Sequence, residues 1–136
     1  MGMSSRLQGL TPDAVQHVIA TAQALEAGRL EQAMHALAGV LASHPDHPEV
    51  LRLHAGLLSL RGQHVDAIRA MQHAVAQRPD DALYLNTLAT VRADAGDLDA
   101  AVAAGRRACE LQPDRAVAWY NLGILLTRCV RYADAA

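Results

Sequence analysis

Residues 79–113 read PDDALYLNTLATVRADAGDLDAAVAAGRRACELQP, with a proline at each end. A third proline stands one equal step earlier, so Pro45, Pro79 and Pro113 recur every 34 residues. Gly28, Gly62 and Gly96 keep the same step, and so do Ala33, Ala67, Ala101 and Ala135. Three residue types with different physical jobs, held in one register, identify a repeat protein.

Within the quoted stretch the pattern is two helices and two stops. Apolar residues at helical spacing predict a helix from about Ala82 to Ala95, broken at Gly96, where a residue tolerating positive φ ends a helix. A second helix follows over Leu98–Leu111, and Pro113 forbids its continuation by removing a donor and clashing with the preceding turn. Outward from there the unit repeats. Thr11-Pro12-Asp13 carries the start signals of a first helix that ends before Gly28. Further helices are predicted over Leu30–Ser43, Pro48–Arg61, Val65–Gln77 and Ala116–Cys129. Apolar residues never alternate for long, so strands are not expected.

The bulk composition excludes several classes. The chain has 136 residues and a net charge of −2, which offers no basic face for nucleic acid. Hydrophobic residues make up 51% but aromatics only 3%, with no Phe, which suits small side chains between closely packed helices. Cys109 and Cys129 are the only cysteines and read as reduced, partly buried thiols. No run is long and apolar enough to span a membrane, and residues 1–10 lack a signal-peptide core. A cytoplasmic location is expected.

Trp119, Leu122 and Gly123 reproduce a W-x2-L-G opening, and with the 34-residue step the chain resembles the tetratricopeptide repeat family. The resemblance implies an all-α, right-handed superhelical solenoid of antiparallel helix pairs, seven full helices plus a truncated eighth. The units would be 14–47, 48–81, 82–115 and a partial 116–136, forming one domain of a longer protein. Ala33, Ala67 and Ala101 should sit where paired helices cross, and Leu51, Leu85 and Trp119 should pack between neighbours. Three departures carry expectations. His54 takes the place of Leu88 and Leu122 and should be a buried neutral imidazole with one hydrogen-bond partner. Gly105, where Leu37 and Met71 supply bulk, should leave a packing gap that Leu would fill. Val130 replaces the turn glycine ahead of the truncated eighth helix at Tyr132–Ala136.

The side chains able to do chemistry are scattered. His44-Pro45-Asp46-His47 is the tightest group, but it falls in an inter-repeat turn, where Asp would cap and His would be solvated. His17, His35, His64 and His73 read as surface residues. No nucleophile elbow, phosphate loop or zincin helix is present, and the carboxylates cluster at helix starts. The chain is therefore read as a non-enzyme calling for neither metal nor cofactor.

The resemblance instead directs attention to the concave groove lined by the first helix of each pair. By register the groove holds Glu49, Arg52, Leu53 and Gly56, then Leu83, Asn86, Thr87, Thr90 and Asp94, then Val117, Tyr120, Asn121, Ile124 and Arg128. Asn86, Asn121 and Tyr120 could bond the backbone of an extended peptide. Leu83, Val117 and Ile124 could take apolar side chains, and Arg52 and Arg128 an acidic group. Relatives that grip a C-terminal carboxylate do so with Lys, Asn and Arg, where this chain has Val18, Ala22, Leu53, Leu83 and Thr87. Relatives with an asparagine ladder place Asn where only Asn121 occurs here. The expected function is a scaffold that binds a peptide or protein segment, without nucleic acid or membrane as a partner. Two alternatives accompany it: the recognition arm of a larger enzyme, such as a glycosyl- or sulfotransferase, and a self-assembling oligomer. Trp119, Leu122 and Leu126 on the seventh helix would form the self-association face, giving a homodimer.

Overall fold

The computed structural model describes residues 6–135, with side chains through Arg131. Helices α1 Pro12–Glu26, α2 Leu30–Ser43, α3 Pro48–Leu60, α4 His64–Gln77, α5 Ala82–Asp94, α6 Leu98–Leu111 and α7 Ala116–Ala135 account for its regular structure. The architecture is all-helical, and no helix among the described residues is long and apolar enough to cross a membrane.

The odd helices start on side-chain caps. Thr11 Oγ1 accepts from the Ala14 amide at 3.2 Å, and Asp81 Oδ1 accepts from the Leu83 amide at 3.0 Å. At α3 the cap is His47, not Asp46: its Nδ1 accepts from the Glu49 amide at 3.2 Å. Its Nε2 lies 2.7 Å from the Gln8 carbonyl, so the neutral ring protonated at Nε2 serves both contacts. The same odd helices end on the predicted glycines, with φ of +73° at Gly28, +79° at Gly62 and +87° at Gly96. The left-handed residue lets the next amide reach back five residues, as in Arg29 to the Ala24 carbonyl at 2.8 Å, and the helix stops.

Val130 occupies the fourth such place and gives the opposite result. A β-branched residue is strained at positive φ, and no non-glycine residue among those described adopts it. Helix α7 runs straight through Val130 to Ala135, so the turn expected there is not made. The expected eighth helix at Tyr132–Ala136 is not formed through Ala135, and Ala136 lies outside the described residues.

The pairs α1/α2, α3/α4 and α5/α6 pack face to face, and each second helix also packs on the first helix of the next pair. Ala33, Ala67 and Ala101 are fully buried, as a close crossing requires. Beyond sequence neighbours, α1 touches α3, α3 touches α5 and α5 touches α7. The odd helices are therefore drawn together, and the array curves around them. One apolar cluster joins α3 to α7 through Leu51, Met71, Tyr84, Leu88 and Leu125. Another joins α1 to α3 through Val18, Leu37, Val40 and Leu53, with Leu7 and Leu10 of the N-terminal segment packed against it.

Three packing expectations are corrected. Gly105 leaves no gap: a methyl built on it would lie 3.0 Å from Leu125 Cδ1 and 3.5 Å from Leu122 Cδ1, because those two side chains of α7 occupy the place left by the missing one. Trp119 is 52% exposed, unlike the buried Leu51 and Leu85, since no helix follows α7 among the described residues to cover it. Its Nε1 donates to the Pro113 carbonyl at 2.8 Å. His54 is half-buried and makes no hydrogen bond among the described residues. It borders an apolar cavity of about 150 Å³ with Leu37, Leu41 and Leu57, the space a leucine would fill.

Candidate functional site

At the N-terminal ends of α3 and α5 stand two buried carboxylates, Glu49 in the first turn of α3 and Asp81 as the cap of α5. Glu49 receives the Arg52 guanidinium one turn on, Nε lying 3.2 Å from each oxygen, and the Tyr84 hydroxyl donates to Oε2 at 3.0 Å. Asp81 takes Arg6 Nη2 at 3.3 Å, across 75 residues of sequence, with Arg78 at 3.9 Å on its other oxygen. Burial opposes the Arg52 charge, but the hydrogen bond and charge of Glu49 outweigh it and hold its pKa above the ordinary value. Burial and then the Glu49 charge push the Tyr84 hydroxyl well above the usual tyrosine range, so it remains a donor.

This network corrects one expectation about the groove. Arg52 is committed to Glu49 and is not free to select a ligand's acidic group. Arg128 is similarly occupied. Its Nη2 donates to the Ala93 carbonyl at the end of α5 at 3.1 Å, and Nη1 lies 3.5 Å from Asp94. Asp94 in turn accepts from Ser59 Oγ at 3.0 Å, so a polar rail joins the C-terminal ends of α3, α5 and α7.

The remaining predicted residues separate into two surfaces. Leu83, Asn86 and Val117 come together around a cavity of about 220 Å³ between α5 and α7. Tyr120, Ile124 and Arg128 border a broader depression of about 500 Å³ along α7. Val117 is 63% exposed and Tyr120 70%, unusually open for large apolar side chains, while Asn121 between the two surfaces is half-buried. Thr90 is exposed on α5, its hydroxyl donating to the Asn86 carbonyl at 3.0 Å. Val18 and Leu53, at two of the carboxylate-gripping positions, are buried in the core. No group of three or more His, Cys, Asp or Glu among the described residues is arranged to hold a metal.

Sequence reasoning missed Arg6, Gln112 and Arg115, which complete the lining of the smaller cavity. Arg6 belongs to a segment outside the repeat register, and only the fold brings it to Asp81. Gln112 and Arg115 flank the repeating Pro113, a stretch read as turn.

Family sequence models described as tetratricopeptide repeat match residues 24–91 and 86–136. No curated protein sequence matches the chain. Among solved structures, a mutant O-GlcNAc transferase of Thermobaculum terrenum superposes with a TM-score of 0.77 at 27% identity, over 86% of this chain and 23% of the transferase. The Sgt2 TPR domain of Aspergillus fumigatus gives 0.75 at 20%, over 93% of this chain and 84% of that one. The second TPR domain of human RPAP3, solved in complex with the HSP70 peptide SGPTIEEVD, gives 0.68 at 15%, over 83% and 94%. The helix pairs, the glycine turns and the repeat matches agree: the chain belongs to the tetratricopeptide repeat family.

Proposed function

We propose that the chain is a protein-interaction module that receives an extended peptide segment along the inner face of α5 and α7. One observation carries the reading. Of the eight large apolar side chains exposed among the described residues, Val117, Tyr120 and Ile124 stand on the inner side of α7. They border the inner cavities, with Asn86 beside Val117 and the half-buried Asn121 next to Tyr120 in the chain, and both amides can bond a peptide backbone. The RPAP3 domain, with the same fold, was solved holding a peptide. In the test, peptides selected from a random extended library are measured against the Asn86→Ala/Asn121→Ala variant. The expected result is at least about tenfold weaker binding with unchanged helicity, the loss of one or two hydrogen bonds left unmade. Unchanged affinity moves the site off this face.

Two further readings rest on their own observations. Trp119, Leu126 and Val130 leave an apolar stripe open toward the side where a following helix would pack, whereas Leu122, expected to share it, is buried. The stripe favours self-association into a homodimer, and light scattering that finds a monomer at every concentration ends that reading. The match to an array within the transferase favours a recognition arm of a larger, catalytic polypeptide. The mass of the native polypeptide in its source cells decides this: a mass near 14.5 kDa rejects the arm and a much larger one supports it.

A further inference from the structure

The cavity of about 220 Å³ between α5 and α7 combines arginines with amide side chains. Its walls are Leu83, Val117 and Ala118, and its polar groups are Asn86, Gln112, Arg6 and Arg115. No carboxylate among the described residues lines it. Asp81, which Arg6 contacts, has its side chain only 3% exposed. Arg6 donates one hydrogen bond, to Asp81, and its Nε is enclosed without an acceptor. Arg115 is exposed and makes no side-chain hydrogen bond or ion pair among the described residues. Of the other inner-face arginines, Arg52 is bound to Glu49 and Arg128 to Asp94 and to a carbonyl, while Arg131 borders the depression along α7, where no amide side chain lines the wall among the described residues. Only at this cavity, among the described residues, does unpaired positive charge stand beside two amides.

We infer that this cavity is a carboxylate-accepting subsite, in which Arg115 and Arg6 hold an acidic group of the bound peptide. The inference rests on the peptide-groove reading above and names the residue class that groove selects. A carboxylate suits the geometry because a guanidinium offers paired donors to its two oxygens, and the Asn86 and Gln112 amides can donate alongside. Leu83 and Val117 supply the apolar walls against which the methylenes of a glutamate would lie. The subsite is formed jointly by the N-terminal segment and the α6–α7 turn, not by the repeat register. Arg6 is positioned by Leu7 and Leu10 in the core and by the Gln8 carbonyl on His47.

The test titrates isotope-labelled protein with three pentapeptides, followed through the side-chain amides of Asn86 and Gln112 and the Arg115 Nε–H. The first is acetyl-Ala-Leu-Glu-Leu-Ala-amide. The second has Gln in place of Glu. The third is the Gln peptide with a free C-terminal carboxylate. The expected result is about tenfold tighter binding of the Glu peptide than of its Gln twin, as for one charge-assisted contact at a partly exposed site. That preference should fall with added salt and vanish in Arg115→Met, an exposed change that leaves the fold intact. Arg6→Met should reduce it too. If the free-terminus peptide alone gains the preference, the acidic group is a chain terminus, and the subsite stands. Equal binding of the Glu and Gln peptides on α5 and α7 overturns the carboxylate subsite and leaves the groove reading standing. Shifts confined to other helices, or none at all, overturn both.

Discussion

Replacing Gly105 by leucine is the substitution on which the repeat pattern and the packed structure disagree most sharply. By register, Leu37 and Met71 fill the equivalent place, so the pattern predicts stabilisation. In the structure the first added carbon already meets Leu125 Cδ1 at 3.0 Å and Leu122 Cδ1 at 3.5 Å, and three more carbons must follow it into a buried site. Removing glycine from a helix interior contributes about 1 kcal/mol. Overpacking a filled core costs about 1–3 kcal/mol, here toward the upper end because both Leu125 and Leu122 must give way. The net expectation is a loss of about 1–2 kcal/mol, or a melting temperature lower by roughly 3–8 °C for a chain of this size. Thermal denaturation followed by circular dichroism measures this, with Gly105→Ala as control. Alanine asks only a flexible leucine methyl to give a few tenths of an ångström, so its propensity gain and its clash should nearly cancel. The mechanism is checked by adding Leu125→Ala: opening that side should return part of the loss, giving a favourable coupling between the two substitutions. A melting temperature that rises in Gly105→Leu refutes the packing of α6 on α7 described here.

Tyr84→Phe removes a buried hydroxyl from Glu49, which keeps Arg52. Urea denaturation should show a loss of about 1–2 kcal/mol with the helical signal unchanged. His54→Leu should raise stability by filling the neighbouring cavity, and a variant melting below the parent would contradict that assignment. The same residue gives a pH dependence. Burial holds the folded-state pKa of His54 below its ordinary value, against a smaller opposing pull from Asp66. As pH falls through the unfolded value of about 6.5, the unfolded chain takes the proton first, so stability present above that pH is lost below it. Between pH 7.5 and 5.5, stability should fall more steeply in the parent than in His54→Leu; parallel slopes would remove His54 as a cause. Trp119→Ala should leave stability within about 1 kcal/mol of the parent, whereas Leu85→Ala at the same register should cost about 2–5 kcal/mol. Equal losses would place Trp119 in the core.

The helix pairs were legible because their signals are local. A glycine at positive φ, a proline after each second helix and an alanine at each crossing act through their own backbone or methyl group. Gly28, Gly62 and Gly96 needed no tertiary information, and Val130 gave its own warning, although the helix running through it was the reverse of the expected turn. What escaped the sequence depends on neighbours. Gly105 looked like a gap because register supplies the missing side chain but not the Leu122 and Leu125 side chains that occupy its place. Trp119 looked buried because its counterparts are, and the difference lies in the absence of a covering helix among the described residues. In the groove, the residue types were readable but not their partners. Arg52 and Glu49 sit one turn apart, a spacing that already hints at a pair. Arg128 meets the end of α5 only in the folded array, and Arg6 reaches Asp81 only because the N-terminal segment packs on α1 and α3. Arg115, which makes no ion pair among the described residues, lines the groove although register had assigned it to a turn.

The central claim is that the inner face of α5 and α7 is the binding surface. Its most direct test is a library-selected peptide carrying a nitroxide at one end, added to isotope-labelled protein. Paramagnetic broadening reads out which amides the label approaches. The account predicts broadening along Asn86, Val117, Tyr120 and Ile124, with the even helices untouched. Broadening centred on α4 or α6, with the α5 and α7 amides sharp, would contradict it.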